Sequence, residues 1–282
     1  SQGLPNFDLI EKKLEDLPFE MVVKNHKEQT NTENINDCSI VLASADDYNN
    51  FNVSALCRQL NIKCFYVIEN IPQTRYQIVN IETSNRIKLL RRFLYVWLGE
   101  RKRKKAFILA SGIQANGGPA YEYYNPYSKD IIIYYDTRVL KEDLATCNDI
   151  EKKNKKLTSQ LKLAFSGRLN RIKGADHLLL LCSLLKKRNI DFSMSIFGTG
   201  ELEEQIKSFV FTNGLSENVK LKGFLDFKSE LLPIMKSEID VFVCLHRQSD
   251  PSCTYLETLS CGVPIVGYLN LSLIHISEPT RP

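Results

Sequence analysis

An α/β protein with two parallel sheets is the fold class this sequence predicts, and three observations carry it. Short apolar runs at residues 38–43 and 63–69 flank a helical pattern at 53–60, the spacing of a strand–helix–strand unit. The same alternation restarts after a polar stretch, with apolar runs at 161–166, 192–197, 219–221 and 240–245 separated by helical patterns. The 282 residues, 43% hydrophobic and 25% charged, supply material for about two domains.

Taken in order, residues 7–17 have a helical pattern and 21–23 a short strand pattern, followed by a polar loop at 25–36. Residues 38–43 read as a buried strand. Asn52 stands where an N-cap is needed for the helix at 53–60, and 63–69 is the next strand. Residues 85–105 are helical and strongly basic, with Arg86, Lys88, Arg91, Arg92, Arg101, Lys102, Arg103, Lys104 and Lys105 set against Glu100. Phe93, Leu94, Trp97 and Leu98 interleave with these cations. Such a helix fits peripheral contact with an anionic membrane through Arg86–Lys105. The preferred reading is a solvated basic face whose aromatics belong to the core. Nucleic acid is not expected as a partner, since no recognition module surrounds the helix.

Residues 106–111 read as a strand, 116–119 (Asn-Gly-Gly-Pro) as a turn, and 131–135 as a strand of the same sheet. Residues 141–160 are polar and charged, and the domain boundary is expected there, with one domain at 1–150 and the next at 157–270.

The second half has cleaner punctuation. A strand at 161–166 leads through Gly167 and Arg168 to Lys173 and Gly174, then to a helix at 175–187 with Leu178, Leu179, Cys182 and Leu185 on its apolar face. A strand at 192–197 closes on Gly198-Thr199-Gly200. A helix follows at 202–212, then a short strand, a loop at 223–226, a helical turn at 229–235 and a strand at 240–245. Residues 250–252 break that strand. A short helix then carries Tyr255, Leu256 and Leu259 inward, and Gly262 ends it before a buried strand at 263–266.

Net charge of +4 is too small to imply a polyanionic partner by itself. The eight cysteines lie scattered without CxxC pairs, which fits reduced, buried thiols in a cytoplasmic protein and neither a disulfide frame nor a zinc site. No signal peptide and no membrane-spanning apolar run are visible. The chain starts at Ser1 without methionine, and residues 271–282 read as a non-native tail, so the sequence is expected to be a fragment.

Ligands of a parallel sheet sit at the carboxyl ends of its strands. Arg168 and Lys173 share one strand-to-helix loop there. Arg offers a planar fork of donors and Lys a compact point charge, a pair suited to pyrophosphate, although two solvated surface cations have the same pattern. The helix entered at residues 252–254 presents unpaired amides and a positive dipole end, a second seat for phosphate. Glu257, one turn in, reaches toward sugar hydroxyls in such a site; otherwise it is a surface glutamate. Gly198 and Gly200 lack the third glycine of a dinucleotide fingerprint and read as a tight turn. His177 reads as packing or capping. His246 faces the ligand side and is a contact candidate.

Five motifs in order resemble one family. Gly167-Arg-Leu with Lys173-Gly-Ala-Asp-His, Ile196-Phe-Gly-Thr-Gly-Glu-Leu, Val219-Lys-Leu-Lys-Gly-Phe, Asp240-Val-Phe-Val and Glu257-Thr-Leu-Ser-Cys-Gly-Val-Pro-Ile-Val are similar to the nucleotide-sugar domain of retaining GT-B glycosyltransferases of family 4, over residues 161–270. The resemblance implies two Rossmann-like parallel-sheet domains facing a cleft, both incomplete here. It also implies transfer of a sugar from a nucleotide-diphospho-sugar to a glycan, lipid-linked or small-molecule acceptor with retention of configuration.

The resemblance further implies that Arg168 and Lys173 hold the leaving diphosphate and stabilise its charge as the catalytic pair. Gly167, Gly198, Gly200, Ser252, Cys253, Thr254 and Asp250 would line the donor, Glu257 would bind its ribose, and Gly223, Phe224 and Leu225 would lie by the base. No cofactor and no obligatory metal are implied, since protein cations take the metal's place. The sequence departs from the family at Ser249, which occupies the position of the first of two paired glutamates, with Asp250 displaced by one. It departs again at Glu69 and Asn70, near which the acceptor-side histidine is missing. These departures support one alternative, a non-catalytic or degenerate sugar-nucleotide-binding module; another is a different GT-B enzyme, such as a nucleotide-sugar epimerase.

Overall fold

The computed structural model describes residues 20–21, 25, 28–155, 159–249 and 253–271. The helix expected at 7–17, most of the strand expected at 21–23 and the tail from 272 lie outside the described residues. The chain divides into two compact units that part between Tyr135 and Asp136.

The described residues of the first unit form a four-stranded sheet in the order β1 (Ile40–Ser44), β2 (Lys63–Ile68), β3 (Gly112–Asn116), β4 (Ile131–Tyr134), every pair parallel. Its helices are α1 (Val53–Gln59), α2 (Pro72–Glu82), α3 (Arg86–Leu109) and α4 (Gly117–Tyr124). Among the described residues β1 is an edge strand. Ile40 and Leu42 are 60% and 59% exposed, so the strand expected to be buried keeps only Ala43 inside. Asn52 stands at the N-cap of α1 but does not cap it; its Nδ2 donates to the carbonyl of Thr30 at 2.8 Å. Asn85 does cap α3, accepting from the amides of Ile87 and Lys88 at 3.0 and 3.1 Å.

Residues 106–109 continue α3 and are not a strand. Ala106, Phe107 and Ala110 are buried while Ile108 points out, a helical alternation inside an apolar run, and the strand begins only at Gly112. The Asn116-Gly-Gly-Pro segment is likewise no free turn: β3 ends at Asn116 and Gly117, at φ 78°, opens α4. The aromatic side of α3 also differs from expectation. Trp97, Leu94 and Leu98 are exposed and the buried face is Val96, Gly99, Glu100, Arg103, Ala106 and Phe107. Phe93 alone of the interleaved set packs on an aromatic neighbour, Tyr76, with ring centroids 5.1 Å apart.

The second unit is a five-stranded parallel sheet in the order β7-β6-β5-β8-β9. The strands are β5 (Leu161–Ser166), β6 (Phe192–Phe197), β7 (Val219–Gly223), β8 (Val241–Cys244) and β9 (Ile265–Gly267). Its helices are α5 (Cys147–Lys155), α6 (Ala175–Lys187), α7 (Glu203–Thr212), α8 (Leu232–Glu238) and α9 (Cys253–Ser260), with a π-type turn at Phe227–Leu231 running into α8. Alternate residues of one strand feed two cores. Leu163 and Phe165 of β5 pack with Leu178, Leu179 and Cys182 of α6 and Ile206 of α7. Ala164 packs on the other face with Phe242, Met235 and Tyr255. Both units are thus Rossmann-like, as predicted.

The polar stretch placed at the expected boundary belongs to the second unit. Ile150 approaches Gly262, and Lys153 is buried, its ammonium donating to the carbonyls of Ile239 at 3.2 Å and Gly262 at 3.3 Å. Polar and charged composition places the expected boundary there; Ile150 beside Gly262 and the reach of Lys153 tie the helix to the second unit. Leu259 and Val266, expected inside, are exposed, because α9 turns Tyr255, Glu257 and Thr258 inward and β9 is a short edge strand. All eight cysteines are unpaired; Cys38 and Cys147 are exposed, and Cys57, Cys64, Cys182, Cys244 and Cys261 are buried.

Candidate functional site

The order of the second sheet reverses at β5. The chain steps from β5 out to β6 and β7, then returns to β8 on the other side of β5. Loops diverge at such a switch point and leave a crevice beyond the strand ends. A cavity of about 300 Å³ lies there. From the end of β5 it takes Ser166, Gly167, Arg168 and Lys173, and from the end of β6 Phe197, Gly198 and Thr199. The loop after β7 gives Phe224 and Leu225, and the start of α9 gives Cys253, Thr254 and Glu257.

Two glycines let the walls meet. Gly198 has φ 112°, and a Cβ there would stand 2.1 Å from the carbonyl oxygen of Gly167. The loops after β5 and β6 are tied by backbone bonds, Gly167 N to Phe197 O at 3.1 Å and Leu169 N to Thr199 O at 2.9 Å. The Gly198–Gly200 stretch is therefore more than a tight turn: it is one wall of the cavity. Gly200 packs behind that wall against Leu169, and Gly223 precedes the lining residues without lining the cavity itself.

Arg168 is exposed at the rim and meets no acidic side chain among the described residues. Lys173 is half-buried in a loop held by Asn170, whose Oδ1 accepts from the Lys173 amide at 2.9 Å. The eight-residue α9 begins at Cys253, and Cys253 and Thr254 line the same cavity as the two cations, which places the positive dipole end of the helix there. Two cationic side chains and one helix N-terminus share one cavity.

Glu257 is not a surface glutamate. Its side chain is 11% exposed, and Arg138 Nε donates to its Oε1 at 3.0 Å. The Arg138 guanidinium also lies 4.1 Å from the centre of the Phe227 ring. Arg138 lines the cavity and was not foreseen. It sits 119 residues from Glu257 in a stretch without regular structure, so no local pattern marks it. Burial, with the nearby Glu257 carboxylate, pushes the Cys253 thiol up to about 11, so it is protonated and unreactive at neutral pH.

His246 is buried against Tyr255, ring centroids 5.7 Å apart, and its Nδ1 has no partner among the described residues. It does not line the cavity. Burial, and then the positive charge of Lys173, holds its pKa well below 6.5. The folded protein therefore keeps His246 neutral while the unfolded chain takes up a proton below about pH 6.5. Stability is unaffected above that pH and falls below it, by at most about 1.4 kcal/mol per pH unit. Urea unfolding at pH 7.5 and 5.5 checks this. His246→Gln is expected to lose the part of the slope that wild type shows between these values, and an unchanged slope would contradict it. His177 packs as expected, its Nδ1 2.6 Å from the Tyr268 hydroxyl.

Ser249 is buried. Asp250 and Ser252, both expected at the donor, lie outside the described residues. The other expected site residues, Gly200 and Gly223 apart, come together around one cavity.

Residues 148–275 match the family model of Glycosyl transferases group 1. The chain is also 30% identical over 116 residues to the poly(glycerol-phosphate) alpha-glucosyltransferase of Bacillus subtilis strain 168, a match covering 39% of this chain and 16% of that protein. Among solved structures, HepE of Anabaena in complex with UDP superposes with a TM-score of 0.58 at 14% identity, covering 87% of this chain and 64% of that one. WaaG, a glycosyltransferase involved in lipopolysaccharide biosynthesis, gives a TM-score of 0.55 at 14% identity, covering 92% and 70%. The likeness to these two structures is one of fold: two Rossmann-like domains of the GT-B class.

Proposed function

We propose that the second unit is the donor site of a retaining glycosyltransferase of family 4, which moves a sugar from a nucleotide-diphospho-sugar to an acceptor hydroxyl. The convergence of Arg168, Lys173 and the α9 amides on the cavity that Glu257 also lines carries this reading. Cleavage of the bond from the anomeric carbon to the phosphate oxygen leaves both electrons, and the charge, on the diphosphate. Preformed cations and amides aimed at that position stabilise the charge as it develops, so no obligatory metal is needed. Glu257, oriented by Arg138, accepts from the ribose hydroxyls, and the loop of Phe224 and Leu225 lies by the base. The alpha-glucosyltransferase name of the Bacillus subtilis relative supports retention, since an alpha product from an alpha-linked donor keeps the anomeric configuration. A cytoplasmic location fits the eight unpaired cysteines.

One observation favours a second reading, a sugar-nucleotide-binding module without transfer: buried Ser249 stands where the family resemblance expects a carboxylate that positions the sugar. Transfer of radiolabelled sugar from the donor to a glycan or lipid-linked acceptor, with the anomeric proton coupling of the product read by NMR, separates the two. Retained configuration supports the transferase, inverted configuration contradicts it, and nucleotide binding with no transfer supports the module. Either way, Lys173→Ala and Glu257→Ala are each expected to weaken nucleoside diphosphate binding by roughly ten- to a hundredfold, the cost of about 1.5–3 kcal/mol for a lost charge-assisted bond. Equilibrium dialysis checks it.

A further inference from the structure

We infer that the outward face of α3 seats the protein on an anionic lipid surface. The inference stands on the first unit alone and does not depend on the donor site. Leu90, Leu94, Trp97, Arg101, Lys105 and Ile108 recur at helical spacing on the side opposite the buried Val96, Arg103 and Phe107. These apolar residues are not covered by the described residues: Leu90 is 71%, Leu94 54% and Trp97 44% exposed, with Ile87 at 68% one turn earlier. The guanidinium carbon of Arg101 lies over the Trp97 ring, 3.7 Å from its centre, so cation and indole leave the helix together.

Charge selects the occupant. Between Arg86 and Leu109 the one acidic residue is Glu100, which is buried and paired with Arg103, so the outward face carries Arg91, Arg101, Lys102 and Lys105 with no acid among them. Arg91 also borders a hollow of about 400 Å³ with Tyr95, whereas Arg75 and Arg92 in the same hollow are already paired with Asp46 and Glu82 and add no free charge. An apolar protein partner would leave these cations desolvated without counter-ions. A polyanion without apolar surface would leave Leu90, Leu94 and Trp97 uncovered. A bilayer interface with anionic headgroups takes both, acyl boundary for the stripe and phosphate for the flanking cations, with the indole at headgroup depth. No described helix is long and apolar enough to cross a membrane, so the contact lies in the plane of the surface.

Trp97 is the single tryptophan of the chain, so intrinsic fluorescence reads this face directly. Titration of the full chain with phosphatidylcholine vesicles containing phosphatidylglycerol is expected to shift its emission to shorter wavelength. Pure phosphatidylcholine vesicles should leave it in place, and high salt should reverse the shift. Each basic residue near an anionic surface raises partitioning on the order of fivefold, so the triple variant Arg101→Glu, Lys102→Glu, Lys105→Glu should lower it at least a hundredfold. Leu90→Ser with Leu94→Ser, at exposed positions, should abolish the shift while circular dichroism stays that of wild type. No shift with anionic vesicles, or a shift indifferent to the charge reversals, would overturn the inference. Tighter binding to duplex RNA or DNA than to vesicles, without a blue shift, would overturn it too and assign the face to nucleic acid.

Discussion

Arg103→Met is expected to destabilise the first unit by about 3–5 kcal/mol, the cost of removing one partner of a buried ion pair. Arg103 is fully buried on α3, and one arm of its guanidinium pairs with Glu100 Oε2 one turn earlier. Its Nε donates to the Ala45 carbonyl at 2.8 Å, and the Tyr124 hydroxyl donates to the same carboxylate oxygen at 3.2 Å. Without Arg103, Glu100 remains as a buried charge with a single phenol for company, and the loop at Ala45 loses its anchor. The pair is not fully satisfied even in the native protein, since Arg103 Nη2 and Glu100 Oε1 have no partner among the described residues. The double variant Glu100→Leu, Arg103→Met should therefore recover most of the loss. Urea unfolding followed through Trp97, which sits on the same helix, reads this unit selectively. A single variant within about 1 kcal/mol of wild type would show that the pair is solvated, contrary to its burial.

Gly198→Ala is expected to cost the second unit about 3 kcal/mol or more, combining the strain of a positive φ with overpacking of a closed contact. The new Cβ would stand 2.1 Å from the Gly167 carbonyl oxygen, and neither loop can yield without breaking the bonds that join the ends of β5 and β6. Because those loops form two walls of the cavity, nucleotide binding should be lost along with stability. Gly223→Ala is the informative control. Its φ is 69° but nothing lies within 4 Å of the added carbon, so only the backbone strain applies, about 1–2 kcal/mol. Thermal melts by circular dichroism rank the two; equal losses would mean that the close approach of the two loops is not what matters at Gly198.

The second unit was the more legible half of the sequence. β5, α6 and β6 begin and end where the apolar periodicity places them: β5 and β6 close on Gly167 and Gly198, β6 opens after Asp191, and α6 opens after Gly174 with Leu178, Leu179 and Cys182 buried on one face. Residues 106–110 in the first unit show the limit of that reasoning. Five apolar residues in a row fit a buried strand as well as the last turn of a helix, and Arg103, buried one turn earlier, holds the segment helical. The charged stretch around Lys153 has the composition of a domain boundary, and only in the fold does its ammonium meet two carbonyls of the second unit.

At the site, Arg168, Lys173, Cys253, Thr254 and Glu257 were visible from motif and strand order, whereas Arg138 was not. Its partner is 119 residues distant, and only the folded sheet brings it to Glu257.

Calorimetric titration of the chain with UDP, GDP and ADP, repeated on Arg168→Ala, tests the donor site directly. At least one nucleoside diphosphate is expected to bind wild type at a single site, and Arg168→Ala to weaken it by roughly ten- to a hundredfold. A folded second unit, confirmed by circular dichroism, that binds none of the three, or binds one equally well without Arg168, would contradict the donor site.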